Sequence, residues 1–429
     1  MDALLDLVLP GQSGQIANWK EEILFLGPDE GSAHLMDWAC RRSRERGYRY
    51  WKGFTTGKGA ELGGIAHKDY GMTAQGMHRY VLGILGRLGI AEEGITKAQT
   101  GGPDGDLGGN EILVSRDRTI AVVDGGGVLY DPDGLDRDEL VRLARAGALS
   151  SAFDESRLGE KGFKVTVEDK DRKLPGGETV ASGLGFRNAF HLDPRMKADL
   201  FLPCGGRSKS VNLTNWRALL DANGAPRHRW IVEGANLFIT QEARLKLEEK
   251  GTLVFKDSST NKGAVISSSL EVLAGLALSD EEFGKHMVVR RGEAVPKFRE
   301  RYVEEVKATI ARRADQEFAL LWDTHGRTGE PLSLLSESVS AKINDITRAI
   351  EASSLFDNEA VRRGAFRLHV PAALLELAGM EAILSRVPES YQKALFARAV
   401  ASGIVYRFGI DVGFEDYRMY IEELALGSP

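Results

Sequence analysis

The chain has 429 residues, which is enough for two or three domains with sizeable cores. Hydrophobic residues make up 42% of it and charged residues 28%, as in ordinary globular proteins, and no apolar run reaches the ~20 residues of a membrane span. The net charge of −6 provides no basic surface, so we expect neither nucleic acid nor a membrane as a partner.

The first 75 residues contain few regular patterns. Residues 1–10 predict an amphipathic helix, with acidic residues where a signal peptide is positively charged. Asp29 follows the apolar run 23–26 and the pair Gly27-Pro28, and it suits either a capped turn or a catalytic carboxylate. The segment Thr55-Thr-Gly-Lys58 is not a phosphate-binding P-loop, because it lacks the earlier glycine and a Ser or Thr after the lysine.

Helix and strand patterns alternate from residue 77 to about residue 276. The predicted strands are 95–99, 119–124, 198–202, 229–233 and 252–256, and the predicted helices are 77–90, a short one after a glycine-rich turn, 136–145, 213–221, 240–250 and one after 263. A polar, glycine-rich stretch at 155–190 interrupts the alternation and predicts loops with a short hairpin. Such alternation predicts an α/β fold with a doubly wound, mostly parallel sheet.

The remaining C-terminal residues are predicted to be α-helical. Apolar residues from Phe298 to Leu321 mark one side of a long helix that Pro296 can start, and a second helical block contains 373–377 and 391–406. Packing and subunit contact are the roles we expect for these helices. The patterns therefore divide the chain into regions 1–75, 76–275 and 276–429.

The stretch Gln99–Asn110 carries the main chemical signal of the α/β region. Its glycines, Gly102, Gly105 and Gly108 among them, leave the backbone free to approach a diphosphate, whose charge the N–H groups of the following helix attract. Asp124 ends the next strand, where dinucleotide-binding units place a carboxylate on the ribose. Because the step from Gly102 to Gly105 is one residue longer than usual, a tight loop without a ligand is the alternative.

Three further loops, at 203–207, 233–240 and 257–263, carry polar groups that a ligand could use. Helix capping and turn chemistry explain each loop singly, whereas their recurrence at the carboxyl edge of a parallel sheet favours a polar ligand there. His67 and His369 have no companions at metal-ligand spacing, so we expect no metal site.

Five ordered segments carry a resemblance to a known family: Gly27–Glu30, Thr55–Gly64, Gln99–Asn110, Ile231–Asn236 and Asn261–Glu271. They resemble the glutamate dehydrogenases, most closely the large-subunit NAD-dependent class, over nearly the whole chain. The resemblance implies part of a substrate-binding and catalytic domain at 1–75, a Rossmann-like NAD-binding domain at 76–275 and a helical region at 276–429. It also implies a homo-oligomer that converts L-glutamate to 2-oxoglutarate and ammonia.

The resemblance implies NAD-binding roles for several residues. The turn at the pyrophosphate corresponds to Gly102, Gly105 and Gly108. Asp124 corresponds to the acid that accepts the ribose hydroxyls of NAD and repels the 2′-phosphate of NADP. Asn236 lies where the family approaches the nicotinamide, and Thr73 matches a threonine near the nicotinamide amide after a shift of one residue.

The resemblance implies substrate roles for two residues. Asp29 corresponds to the catalytic aspartate, which moves protons to and from the amino group. Ser268 corresponds to a serine whose hydroxyl binds the distal carboxylate of glutamate. An apolar side chain offers such a hydroxyl no acceptor. Ser268 therefore argues against another possible function, that of a related dehydrogenase for leucine or phenylalanine.

One part of the family's site is not found in this sequence. The lysines that hold the substrate carboxylates precede the catalytic aspartate, but only 28 residues precede Asp29, and Lys20 has no glycine-rich context. We therefore expect the C-terminal part of a longer enzyme, and a cofactor-binding module without catalysis is the alternative. Cys40 and Cys204 are far apart in sequence, which favours a reducing compartment: the cytoplasm, with the mitochondrion as the alternative.

Overall fold

The structure is a computed structural model that describes residues 1–9, 24–29 and 31–427. Lys20, Ile23 and Glu30, which the sequence motifs include, lie outside the described residues. The chain divides into two compact units: the first contains Met1–Tyr70, Ala264–Ile310 and Ser338–Pro429, and the second contains Gly71–Gly263 and Ala311–Glu337. The domain boundaries at residues 75 and 275 stay a prediction. Within the described ranges, no helix has the length and apolarity that crossing a membrane needs.

The helices and strands are numbered in chain order. The helices are α1 (Asp2–Val8), α2 (Ala33–Glu45), α3 (Trp51–Phe54), α4 (His67–Tyr70), α5 (Met72–Leu88), α6 (Asp106–Val114), α7 (Arg137–Ala146), α8 (Gly183–Ala189), α9 (Gln241–Glu248), α10 (Asp257–Thr260), α11 (Gly263–Ala277), α12 (Asp280–His286), α13 (Lys297–Thr328), α14 (Leu332–Glu351), α15 (Glu359–His369), α16 (Ala372–Ala378), α17 (Met380–Arg386), α18 (Glu389–Phe408) and α19 (Phe414–Leu426). The strands are β1 (Thr96–Thr100), β2 (Arg118–Val123), β3 (Gly127–Tyr130), β4 (Phe163–Thr166), β5 (Lys170–Lys173), β6 (Thr179–Ser182), β7 (Leu200–Pro203), β8 (Trp230–Val232) and β9 (Leu253–Phe255).

The second unit contains the sheet that the sequence predicts. Its strand order is β4-β3-β2-β1-β7-β8-β9, in which β2, β1, β7, β8 and β9 are parallel. β3 and β4 extend it in antiparallel fashion at one end. The α/β fold with a mostly parallel sheet is therefore confirmed.

Both faces of this sheet are covered, and β7, β8 and β9 are correspondingly apolar, whereas β1 buries the polar side chains of Lys97 and Gln99. One face packs in a core with Ala98, Phe201 and Ile231, and the other packs with Val122 and the helices around it. Asp136 caps α7 by accepting a hydrogen bond from Glu139 N, as the acid-first pattern predicts.

The helix predicted at 213–221 is wrong. The structure has only a short 3₁₀ helix at Trp216–Leu219. The reason is local: the side chain of Asn212 accepts hydrogen bonds from Thr214, and that of Asn215 accepts one from Asn212 N, so side chains take the backbone donors that a helix would use. The short hairpin predicted within 155–190 is confirmed as β5 and β6.

The described residues of the first unit form helices and loops, with one isolated β-bridge between Leu26 and Thr55. A Cβ on Gly364 of α15 would overlap the Leu424 carbonyl of α19, and one on Gly403 of α18 would overlap the Tyr420 hydroxyl. Three helices therefore approach closely because two positions lack side chains. The predicted N-terminal helix and the predicted start of a long helix after Pro296 are also confirmed, as α1 and α13.

Candidate functional site

The candidate cofactor site lies where the strand order of the second unit reverses. β2 pairs with one side of β1, and β7, which comes much later in the chain, pairs with the other. Ligands of open α/β sheets bind at the carboxyl ends of strands flanking such a switch point. There the ends of β1 and β7 are joined by hydrogen bonds from Cys204 N to Thr100 O (2.7 Å) and from Thr100 Oγ1 to Gly205 O (2.6 Å).

The predicted glycine turn is packed too tightly to accept side chains. A Cβ on Gly108 would overlap the carbonyl oxygens of Gly101 and Gly102, so α6 starts directly against the end of β1. Gln99 fixes this contact, since its Nε2 donates to Gly101 O at 2.7 Å and to Gly108 O at 3.1 Å. Gly105 is the N-cap of α6 and provides no side-chain cap. A helix start without a side-chain cap is a typical place for an anion to bind.

The structure brings Asp124 together with this turn. A Cβ on Gly102 would overlap the Asp124 carboxylate, so the acid lies directly against the Gly102 backbone. Asp124 is buried; its Oδ1 accepts from Gly126 N (2.8 Å) and Ser150 Oγ (2.5 Å), and its Oδ2 accepts from Ser150 N (2.7 Å). These donors hold the carboxylate in one orientation, and Oδ2 retains capacity for a further donor.

The loop after β8 lies beside the glycine turn, because a Cβ on Gly234 would overlap Leu107 of α6. In this loop Asn236 is exposed, and its Oδ1 accepts from Asn261 Nδ2 at 2.6 Å. Gly263 lies two residues after Asn261. A Cβ on Gly263 would overlap the Met72 carbonyl and approach Thr73 Cα at 3.1 Å. Asn236 and Thr73 are therefore connected through the segment 261–263.

A buried ion cluster that sequence reasoning missed supports this loop. Arg244 of α9 donates to Glu233 Oε2 at 2.6 Å and to Asp257 Oδ1 at 3.2 Å, which ties the end of β8 to the start of α10. Burial, opposed by Arg244, raises the pKa of Glu233 to about 7. Glu233 and Asp257 follow predicted strands, so they could have been selected from sequence; Arg244 on a helix face carries no such signal.

In the first unit, the segment Thr55–Gly64 is bound to α11 by Glu271. This carboxylate is 1% exposed and pairs with Lys58 Nζ at 2.5 Å. It also accepts from Gly57 N at 3.0 Å and from Ile65 N at 2.8 Å. Lys58 is fully buried by this pairing, which agrees with the rejection of a P-loop.

The bonds of Glu271 to Lys58, Gly57 and Ile65 form a clamp. Next to this clamp, two hydroxyl groups lie beside a histidine. Ser268 of α11 is half-buried, and its Oγ lies 2.9 Å from Thr56 Oγ1 and 3.3 Å from His67 Nε2. Burial lowers the pKa of His67 below its ordinary value, although Glu271 acts in the opposite direction. Ser268 therefore faces a neutral ring at pH 7, and the pair can donate to an acceptor such as a carboxylate.

The segment that carries Asp29 contacts the segment that carries Thr56. Leu26 exchanges backbone hydrogen bonds with the segment 54–56, including Thr56 N to Leu26 O at 2.9 Å. A Cβ on Gly57 would approach the Pro28 ring at 2.6 Å. Asp29 itself is exposed, and its backbone N–H and carbonyl each lie 2.7 Å from Ser32 Oγ. The structure thus brings the Asp29 segment to the Thr56 and Ser268 hydroxyls.

Among the described residues there is no cluster of three or more His, Cys, Asp or Glu side chains that could hold a metal ion. Cys40 and Cys204 are both buried as free thiols.

Comparison with known proteins identifies similar sequences and folds. Residues 63–329 match the model of the family described as Glutamate/Leucine/Phenylalanine/Valine dehydrogenase. The chain is 51% identical to "Glutamate dehydrogenase 2" of Dictyostelium discoideum, over 99% of this chain and 41% of that protein. It is 46% identical to the "NAD-specific glutamate dehydrogenase" of Neurospora crassa, over 95% of this chain and 39% of that protein.

The chain thus spans about two fifths of the length of the curated relatives it matches. Among solved structures, a hetero-hexameric glutamate dehydrogenase from Thermus thermophilus aligns over 72% of this chain and 60% of that one, with 22% identity and a TM-score of 0.48.

Proposed function

Because this chain belongs to the glutamate/leucine/phenylalanine/valine dehydrogenase family, we propose that it takes part in the NAD-dependent oxidative deamination of L-glutamate to 2-oxoglutarate and ammonia. The observation that carries this proposal is the contact between Gly102 and the Asp124 carboxylate at the carboxyl edge of the sheet. A bare backbone next to a fixed carboxylate can bind a diphosphate and the adjoining ribose of one dinucleotide.

The residues of the second unit fit NAD. The turn of Gly102, Gly105 and Gly108 is compact, because a Cβ at Gly102 would overlap Asp124 and one at Gly108 would overlap the carbonyl oxygens of Gly101 and Gly102, and its bare backbone can approach a diphosphate. Asp124 accepts a ribose hydroxyl at Oδ2 and repels the 2′-phosphate of NADP, which is why we propose NAD. Relatives named NAD-specific support this choice. Bound NAD supplies the hydride acceptor, and Asn236 and Thr73 orient its nicotinamide end.

The residues of the first unit bind and prepare the amino acid. Ser268, held between Thr56 and neutral His67, donates to the distal carboxylate of glutamate. Asp29 exchanges protons with the amino group while the imine forms and is hydrolysed. The Lys58–Glu271 pair keeps the Thr56 backbone in position, so that substrate binding does not have to order it.

The test is NADH formation from L-glutamate by the purified chain, followed by absorbance. Asp29→Asn is expected to abolish turnover and to leave NAD affinity unchanged, since Asp29 is assigned to proton transfer alone. Ser268→Ala is expected to raise the KM for glutamate about tenfold and to reduce discrimination against leucine. Ser269→Ala is the matched control, because its hydroxyl donates to Val265 O on the same helix and has no role in the site. Full turnover by Asp29→Asn would refute the role of Asp29.

The alternative reading is a cofactor-binding module without catalysis. The same assay separates the two: saturable NAD binding without NADH formation would identify a module. Homo-oligomer formation stays a prediction of the resemblance, and a cytoplasmic location stays a prediction from the two cysteines; sedimentation of the purified chain tests the first.

A further inference from the structure

A cavity of about 420 Å³ in the first unit has no part in the proposed reaction. Its walls include three guanidinium groups, those of Arg49, Arg362 and Arg386, and two carboxylates, those of Asp357 and Glu389. The lining therefore carries an excess of one positive charge. Pockets of this volume accommodate small organic ligands.

Arg362 is the least satisfied of these cations. Its guanidinium lies over the ring of buried Phe356, at 5.0 Å from the ring centroid. Its Nε is buried and has no hydrogen-bond partner among the described residues. Arg362 lines the cavity, so an acceptor bound there meets a guanidinium whose hydrogen-bonding capacity the protein does not use up.

The N-terminus of α18 opens into the same cavity. This helix has 20 residues, its N-cap is Pro388, and no side chain caps its first turn. Pro388, Glu389 and Gln392 all line the cavity. The first-turn N–H groups and the helix dipole therefore add a partial positive charge to that of the arginines.

The acidic residues near the cavity offset its positive charge only in part. Glu389 acts on Arg362, but it pairs with Lys393 at 2.6 Å and its side chain is 71% exposed. Arg386, at the end of α17, is balanced by Glu282 at 2.6 Å and also donates to the Ala277 carbonyl at 3.0 Å, so its guanidinium is held in place.

We propose that this cavity binds a phosphate monoester, with its phosphoryl oxygens on Arg362 and on the N-terminus of α18. Three tetrahedrally arranged oxygens can reach a guanidinium and helix N–H groups that lie in different planes, which a planar carboxylate does less well. The cavity is larger than inorganic phosphate needs, and the remaining volume accommodates the esterified group. The site is independent of the glycine turn and of the proposed reaction.

The test is calorimetric titration of the full 429-residue chain with inorganic phosphate, a nucleoside 5′-monophosphate and succinate. The monoester is expected to bind most tightly. Arg362→Gln is expected to raise its Kd at least about tenfold, because a charge-assisted contact is lost. Arg367→Gln is the matched control, since Arg367 is exposed on the same helix and does not line the cavity.

The glycine turn is a second place where phosphate could bind, so each titration is repeated with excess NAD. Binding of the monoester that persists with NAD and is weakened by Arg362→Gln supports the proposal. Binding that NAD displaces, binding that Arg362→Gln leaves unchanged, or equal affinity for the monoester, inorganic phosphate and succinate would each overturn it. Equal thermal unfolding midpoints of the two variants exclude a folding defect as the cause.

Discussion

Two glycine-rich segments of this protein, Thr55–Gly64 and Gly101–Asn110, look alike in sequence but use their backbone donors differently. In the first, Gly57 N and Ile65 N donate to Glu271, and Gly59 N donates to Asp37 at 2.8 Å. In the second, the helix that follows begins without a side-chain cap. The chain's own carboxylates thus accept from the backbone of one segment, whereas no side chain caps the helix that starts in the other. Glycine content alone does not identify a phosphate site; the destination of the N–H groups does.

The largest effect is expected from a substitution in Thr55–Gly64, the segment bound by Glu271. Lys58→Met leaves the buried Glu271 carboxylate without its cation, and loss of one partner of a buried pair costs about 3–5 kcal/mol. Denaturant unfolding should report this loss of stability. Lys285→Met, at an exposed position of the same unit, should change it by less than about 0.5 kcal/mol. A Lys58→Met variant as stable as the wild type would contradict the clamp.

An added side chain tests the other segment, Gly101–Asn110. Gly102→Ala directs a methyl group into the Asp124 carboxylate, so the turn and the acid have to move apart. NAD affinity is expected to fall about 100-fold, or about 2.7 kcal/mol, in a direct titration. Gly86→Ala in α5 is the control, because a Cβ there meets nothing within 4 Å. Equal NAD affinities of the two variants would show that the turn does not contact the diphosphate.

A smaller effect is expected from removing the charge of Asp124, which lies next to Gly102. Asp124→Asn keeps the size of the side chain but removes the repulsion of a 2′-phosphate, so the preference for NAD over NADP should fall about tenfold, or about 1.4 kcal/mol. The ratio of kcat/KM values, or of Kd values, measures it. Asp133→Asn, at an exposed acid after β3, should leave the ratio unchanged.

The smallest effects are opposite pH dependences of two histidines, one beside each segment. Burial lowers the pKa of His67, so its folded state binds fewer protons than the unfolded state below pH 6.5, and stability falls as the pH falls through that range. Burial also opposes the charge of His78, but Glu111 and Glu92 raise its pKa overall. Its contribution is therefore complete below pH 6.5 and is lost as the pH rises through the raised value.

Unfolding midpoints between pH 5 and 8 check both signs. Relative to wild type, His67→Gln should gain stability at the acid end and His78→Gln should lose it there. Each difference should be about 1.4 kcal/mol for a tenfold change in proton affinity. Parallel pH curves for the three proteins would contradict both assignments.

The sequence was sufficient for the sheet and for one half of the site because those signals are local. β2, β7, β8 and β9 are short, mostly apolar runs, and Asp136 marks its helix by a cap that acts over three residues. The glycine turn and Asp124 belong to one strand-helix-strand unit, so their proximity follows from chain order. These features need no knowledge of distant contacts.

The remainder depends on contacts between distant residues. β3 and β4 have four residues each, and only their pairing, β3 with β2 and β4 with β3, identifies them as strands. Ser268 meets His67 across 201 residues of sequence, and Arg244 reaches two loops from a helix face. The predicted helix at 213–221 failed for the opposite reason, because local side-chain hydrogen bonds of Asn212 and Asn215 outweigh the helical spacing.

The bare glycine contacts of α19 have a practical consequence. Since the α15 backbone at Gly364 lies directly against the Leu424 carbonyl of α19, a shift of α15 towards α19 cannot be absorbed by a change of rotamer there and has to displace α19. Phe414, at its start, is 79% exposed, and both native thiols are buried. A Phe414→Cys protein carrying an environment-sensitive fluorophore would therefore report any displacement of α19 during a ligand titration.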